Sequence, residues 1–305
     1  MNIKKIVRLL LLLLSAVNII LLIMVCSLYK NMYYIDDEYI DDAIDIFNAD
    51  NITITDDAIP SEKLQTYIYS TSGSDNYYEE TATALSGDEI SLRFRLPDGY
   101  TITTVNEDRF EFGSDYYFKY IKSDCPEQIE NKQQDESNGN PISSGIRYNK
   151  INKAIKLFLL GKGDSPTYNY SFDIENINYH NTANLYTAEL YQTIDDVRIY
   201  GKQIKIVLNS EYEILYIEGN WCFSFITDRF SAQIYDQVNI LFIDKASDTY
   251  DTENGINDVH PYYIMYNDGD NGSALIIPSW KITYSSGKSN VYNAENGELY
   301  ITDIK

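Results

Sequence analysis

Residues 9–28 read LLLLLLSAVNIILLIMVCSL, twenty consecutive positions without a charge. A helix of roughly 20 apolar residues is what a bilayer core of about 30 Å requires. Lys4, Lys5 and Arg8 precede the stretch, and Asp36, Asp37 and Glu38 follow it closely. The positive-inside rule then predicts that residues 1–8 are a cytoplasmic tail and that residues 30–305 lie outside the cell. A cleaved signal peptide would have a shorter apolar core and a small-x-small site; Met24-Val25-Cys26-Ser27 offers none. A lipoprotein site would need a small residue before Cys26, where branched Val25 stands. The stretch reads as an uncleaved anchor in the cytoplasmic membrane, with a large extracellular body.

The charge beyond the anchor narrows the partners. Residues 1–30 carry four bases and no acid, so the other 20 bases share the body with all 46 acids and leave it at −26. Such a surface repels phosphate backbones, which excludes nucleic acid as a partner class. Twenty-nine tyrosines and many Ile and Asn residues favour strands and turns over a helical bundle. Three cysteines are too few for a disulfide framework. Cys26 lies in the anchor, and a Cys125–Cys222 bridge and two buried free thiols both remain open.

Periodicity organises the rest. Ile40, Ala43, Ile44 and Phe47 share one helical face behind Asp36 or Asp37 as cap. Ile52–Thr55 alternates like a strand, and Ile59-Pro60 closes a juxtamembrane unit, residues 29–60. Strand-like runs follow at Leu64–Tyr69, Ile90–Leu96, Tyr100–Val105 and Tyr116–Ile121, with a short helix over Tyr78–Leu85. These form an N-terminal module, residues 61–125. Residues 126–141 are polar and read as a linker. A C-terminal module, residues 142–305, begins with a helix from Ser143 or Ser144 to Gly161 that carries Ile151, Ile155 and Leu159. Strands are expected at Tyr168–Ile174, Ala183–Tyr191, Gln203–Leu208 and Glu213–Ile217. A third helix is expected over Asp228–Phe242, with Phe230, Ile234, Val238 and Leu241 on one stripe. The tail returns to strands at Tyr262–Tyr266, Leu275–Tyr284, Asn290–Tyr292 and Leu299–Thr302. The predicted class is α+β: one transmembrane helix, then two modules of antiparallel sheet with helices packed on one face.

No catalytic motif emerges. The two histidines, His180 and His260, read as turn or surface residues, and no metalloprotease, nucleophile-elbow or phosphate-loop pattern is present. Ser285-Ser286-Gly287-Lys288 matches S-x-x-K but reads as a turn between strands. The loop Asn267–Gly272 fails the calcium pattern, because Gly272 and Ser279 occupy positions that need acids, and reads as a hairpin turn. The expectation is a non-enzymatic protein with no metal and no cofactor.

Three stretches carry a family resemblance. The first is the anchor leading into Tyr39–Phe47, Ile52-Thr53-Ile54 and Ile59-Pro60. The second runs from Tyr191-Gln192 through Gly201 and Ile204–Leu208 to Glu218-Gly219-Asn220-Trp221. The third is Ile277-Pro278-Ser279-Trp280-Lys281-Ile282, followed by Val291 through Leu299 with its Asn293-Ala294-x-x-Gly297-Glu298 turn. Together they resemble the YycI and YycH family, membrane-anchored regulators of the WalK (YycG) sensor kinase, and the tail is closer to YycI. Pro278, Trp280, Ala294 and Gly297 are the structural motif of that resemblance. It implies regulation of a two-component sensor histidine kinase that controls cell-wall metabolism, through contacts of the ectodomain and membrane helix. The partners implied are the kinase and a companion YycH-like regulator, with a homodimer as a further option. Within the membrane span, Ser15, Asn18, Leu22 and Cys26 fall within about a third of the helix circumference and are the candidate contact face. The alternative function is a membrane-anchored module binding cell-wall glycan, which would need an exposed aromatic row.

Overall fold

The computed structural model describes residues 3–55, 57–64, 67–72, 76–130, 139–159, 170–247, 255–267 and 273–303. It is an α+β protein with a mostly antiparallel sheet and one N-terminal apolar helix, α1, Ile3–Tyr33. The chain divides into two compact units. One comprises Met1–Thr66, Gln233–Pro261 and Ser279–Lys305; the other comprises Tyr67–Ala232 and Tyr262–Pro278. Neither is a single run of chain, so the units differ from the sequential modules 61–125 and 142–305. Strand pairing between residues far apart in sequence decides membership, and a polar stretch cannot report that.

In the first unit, α2 (Asp37–Ala49) is capped by Asp36, whose side chain accepts from the Glu38 N–H. Ile40, Ala43 and Phe47 form its buried stripe, and the Phe47 ring lies 5.4 Å from Phe242 of α6 (Gln237–Lys245). From Ser279 on, β13 (Ala274–Tyr284) makes an antiparallel meander with β14 (Ser289–Asn293) and β15 (Leu299–Asp303). The first turn of that meander is Ser285-Ser286-Gly287-Lys288, with Gly287 at φ 85°. Residues 52–55 are not a strand here; Ile54 makes one isolated parallel bridge, to Ile256.

In the second unit, β1 (Tyr67–Ser72) precedes α3 (Tyr77–Ser86). Then come β2 (Ile90–Leu96), β3 (Gly99–Thr104), β4 (Arg109–Gly113) and β5 (Tyr117–Ile121). A short helix α4 (Glu127–Glu130) and the pair β6 (Asn140–Pro141) lead to α5 (Ile146–Leu159). After α5 follow β7 (Ser171–His180), β8 (Leu185–Ile194), β9 (Val197–Asn209), β10 (Ile214–Asn220) and β11 (Phe225–Ser231). The antiparallel order is β6-β7-β8-β9-β10-β5-β4-β3-β2. β9 also meets β12 (Ile256–Asn267) in parallel at Ile199 and Tyr263.

One face of this sheet carries α3 and α5. Ala82, Leu85, Ile151, Ile155 and Leu159 pack there against Ile102, Phe110, Phe118, Ile177, Leu190, Ile206 and Ile217. The other face carries a row of directly opposed residues: Glu111, Lys119, Glu218, Lys205 and Glu189. Its signs alternate strand by strand, so every charge meets an opposite one.

Two further expectations are corrected. Asp228–Phe242 is not one helix: Phe230 sits in β11 opposite Ile68 of β1, and the helix starts only after Asp236, which accepts from the Asn239 N–H at 2.8 Å. The stripe from Phe230 to Leu241 ran across a strand and an N-cap that periodicity alone does not separate. His180 is not in a turn; it ends β7 and is buried, bonded to Thr187 Oγ1 at 3.0 Å. Burial and the nearby Lys205 charge lower its pKa. The loop Asp268–Gly272, residues 131–138 of the linker and the Gly161 helix stop lie outside the described residues.

Candidate functional site

Within α1, Leu11–Lys30 is long and apolar enough to cross a membrane, and none of it is buried. Ser15, Asn18, Leu22 and Cys26 are all exposed on it. The junction to the body is short and bonded. Tyr34 N donates to Lys30 O, Ile35 N to Ser61 O and Lys63 N to Tyr33 O, each at 2.8 Å. Ile35 is buried, and Asp36 already caps α2. Only Tyr34, Ile35 and Asp36 separate the two helices. A three-residue connection tied by backbone bonds on both flanks leaves α1 little freedom against its own unit.

The same unit is organised around one buried carboxylate. Asp244 in α6 has no exposed surface. Its Oδ2 accepts from Tyr284 Oη at 2.5 Å, and its Oδ1 accepts from Asn290 Nδ2 at 2.8 Å and Tyr292 Oη at 2.7 Å. Asn290 Nδ2 also reaches Tyr284 Oη at 3.0 Å, and Thr302 Oγ1 donates to Asn290 Oδ1 at 3.0 Å. Three neutral donors thus satisfy a buried polar group that would otherwise be costly to bury, and they tie α6 to β13 and β14. The sequence held a signal for this: Asp244 lies on the buried face of α6 with Ile240 and Leu241.

Of the resemblance residues, Trp280 is fully buried, with Nε1 donating to Tyr235 O at 3.1 Å. A ring so placed cannot stack on a glycan. Pro278 and Ala294 are buried as well. Gly297 takes φ 74° and donates to Asn293 O at 2.9 Å; a Cβ there would come within 2.8 Å of Ile243 Cδ1. The left-handed conformation favours glycine at this turn, and a Cβ would also displace the tip of the Ile243 side chain.

The second unit has its own polar centre. Gln192 clamps the Cys222 backbone, with Nε2 to Cys222 O at 2.6 Å and Cys222 N to Oε1 at 3.0 Å. Burial pushes the Cys222 thiol up, so it stays protonated beside Tyr170 Oη at 3.4 Å. None of the three cysteines is in a disulfide, which removes the Cys125–Cys222 bridge. Tyr77, Tyr116 and Tyr170 are also raised, first by burial and then by the proximity of Cys222.

Next to this centre, Asp115 and Tyr116 adopt φ 52° and 61°, a strained pair for residues with side chains. Buried Lys202 holds the turn. Its Nζ donates to Asp115 O and Oδ1, both at 3.1 Å, and lies 4.6 Å from the Tyr116 ring centroid. Lys202 shares strand parity with buried Ile204, Ile206 and Leu208, so a lysine on the core face was legible in the alternation.

Cys222 is a protonated, buried thiol, and Asp244 spends its acceptor positions on neutral donors. Among the described residues no group of three or more His, Cys, Asp and Glu is arranged to hold a metal ion. His260 is exposed, 3.5 Å from Asp258.

No protein-family model matches the chain, and no curated protein does. A solved structure of an uncharacterized protein from Eubacterium rectale is similar over 80% of this chain and 88% of its own, at 12% identity and a TM-score of 0.42.

Proposed function

We propose that the chain is a non-enzymatic, membrane-anchored regulator whose body lies on the extracellular side and biases a sensor histidine kinase, as the YycI-like motifs imply. The observation that carries this reading is the bonded junction between α1 and α2. A tether that merely localises a body needs no fixed angle to it. A regulator that passes a bias between its body and a partner's membrane helix does need one, because the partner responds only to a difference in contacts between its two states. Ser15, Asn18, Leu22 and Cys26 would supply the intramembrane contacts, with Asn18 seeking a hydrogen-bonding partner near the bilayer centre. A companion regulator of similar type would share the body's surface.

Two measurements test the reading. Protease treatment of intact cells should degrade residues 30–305, and a fully protected body would reverse the topology. A second experiment compares two variants at equal membrane levels: Ser15, Asn18 and Cys26 all changed to leucine, and four glycines inserted after Tyr34. The leucine variant should lose co-purification with the kinase. The glycine variant should keep co-purification and lose the change in kinase output. If both variants behave as the parent, α1 is only an anchor and the reading fails.

A further inference from the structure

β2 is built inside out. It pairs with β3 and ends the strand order of the sheet. In that ladder Arg93 stands opposite Ile102 and Arg95 opposite Tyr100, while Leu92, Phe94 and Leu96 stand opposite Thr103, Thr101 and Gly99. Directly opposed residues share a face. Ile102 belongs to the core under α3, so both arginines point to the core side. There Arg93 pairs with Glu79 of α3 and its guanidinium lies 4.6 Å from the Tyr100 ring centroid. The apolar side chains point the other way and are left 47% (Leu92), 57% (Phe94) and 47% (Leu96) exposed.

The inversion has a local cause. Ile90 stands opposite buried Thr104, but the register shifts before Leu92, which makes Ser91 the extra residue of a β-bulge. Its hydroxyl donates to Thr103 O at 3.0 Å and Thr104 O at 2.8 Å, which fixes the bulge in place. A shift of one residue turns every later side chain to the opposite face. On that face the neighbouring strands carry the alternating row from Glu111 to Glu189, whose charges answer one another. The apolar triplet lies at the β2 end of the same surface.

We propose that β2 is a docking edge for an extended strand of another protein in which acidic and apolar residues alternate. Two observations choose this occupant. An edge strand offers main-chain N–H and C=O groups, which an extended strand satisfies. Arg93 and Arg95 alternate along it, in a chain with 46 acids and 24 bases, so acidic side chains on the incoming strand would meet them. The intervening apolar residues would lie beside Leu92, Phe94 and Leu96. A second copy of β2 fits less well. Antiparallel pairing about Phe94 sets Leu92 against Leu96 but sets Arg93 against Arg95, and like charges directly opposite are destabilising. The edge is a property of the second unit and stands whether or not the partner is a kinase.

The test uses the full chain in detergent micelles and two dye-labelled, end-capped seven-residue peptides, one alternating valine with glutamate and one alternating valine with lysine. Fluorescence anisotropy near 0.15 M salt, where the Debye length is about 8 Å, damps the net charge of −22, which would otherwise favour the lysine peptide. The glutamate peptide should bind about tenfold more tightly than the lysine peptide, and Phe94→Glu should weaken it about tenfold. Arg95→Glu should reverse the preference, a gain that misfolding cannot imitate. Equal binding of the two peptides, absence of binding, or indifference to both substitutions overturns the proposal. A dimer that Phe94→Glu dissolves would assign the edge to a second copy instead, and so overturn it as well.

Discussion

Replacing Trp280 with alanine will cost about 3–5 kcal/mol of stability, the range measured for deleting large aromatic side chains from cores. The residue is fully buried in β13, opposite Tyr292 of β14, and its indole N–H meets the Tyr235 carbonyl just before the helix that carries Asp244. Loss of the ring leaves a cavity where β13 meets β14 and frees a carbonyl that no longer has its donor. Trp280→Phe separates the two contributions. It keeps most of the apolar volume, loses the N–H, and should cost nearer 1–2 kcal/mol. Urea unfolding of the full chain in detergent measures both. A Trp280→Ala protein as stable as the parent would show that this side chain does not anchor the first unit.

Asp244→Ala is expected to be similarly damaging, at about 3–5 kcal/mol, for a different reason. The substitution removes little volume but takes away the acceptor that the Tyr284 and Tyr292 hydroxyls and the Asn290 amide share, leaving Asn290 Nδ2 to Tyr284 Oη and Tyr292 Oη to Ser247 Oγ, and each buried donor that loses its acceptor costs about 1–3 kcal/mol before relaxation. Asp244→Asn retains one acceptor oxygen and replaces the other with a donor that faces Tyr284 or its neighbours, so a smaller loss of about 1–3 kcal/mol should follow. Combining Asp244→Ala with Tyr292→Phe should be less costly than the sum of the single changes, because the second removes a donor whose strongest acceptor the first has taken away. Strict additivity would mean that the network is not a unit.

Much of the secondary structure was legible in the sequence because it rests on local rules. β2 occupies the expected Ile90–Leu96, α2 begins behind its Asp36 cap, and α3 stops at Gly87 in the left-handed conformation. The failures share one cause. The stripe from Phe230 to Leu241 satisfied helical spacing, but β11 is held by its ladder with β1, about 160 residues earlier in the chain, which no window of sequence contains. β4 was missed because Arg109–Gly113 is short, and it is held by β3 and β5 on either side.

What the sequence determined by itself is the long apolar helix at its N-terminal end. Twenty uncharged residues between bases and acids form a helix fit for a bilayer whatever the rest of the chain does, since that choice depends on side-chain transfer energy alone. Tertiary structure alone decided the rest: the division into two discontinuous units, the carboxylate at Asp244 with its three donors, and the outward face of β2. In β2 the apolar and charged residues alternate perfectly, and the alternation is blind to which set faces the core. A single bulge at Ser91, set by hydrogen bonds to β3, makes that choice, because a period of two carries no sign until a partner strand supplies one.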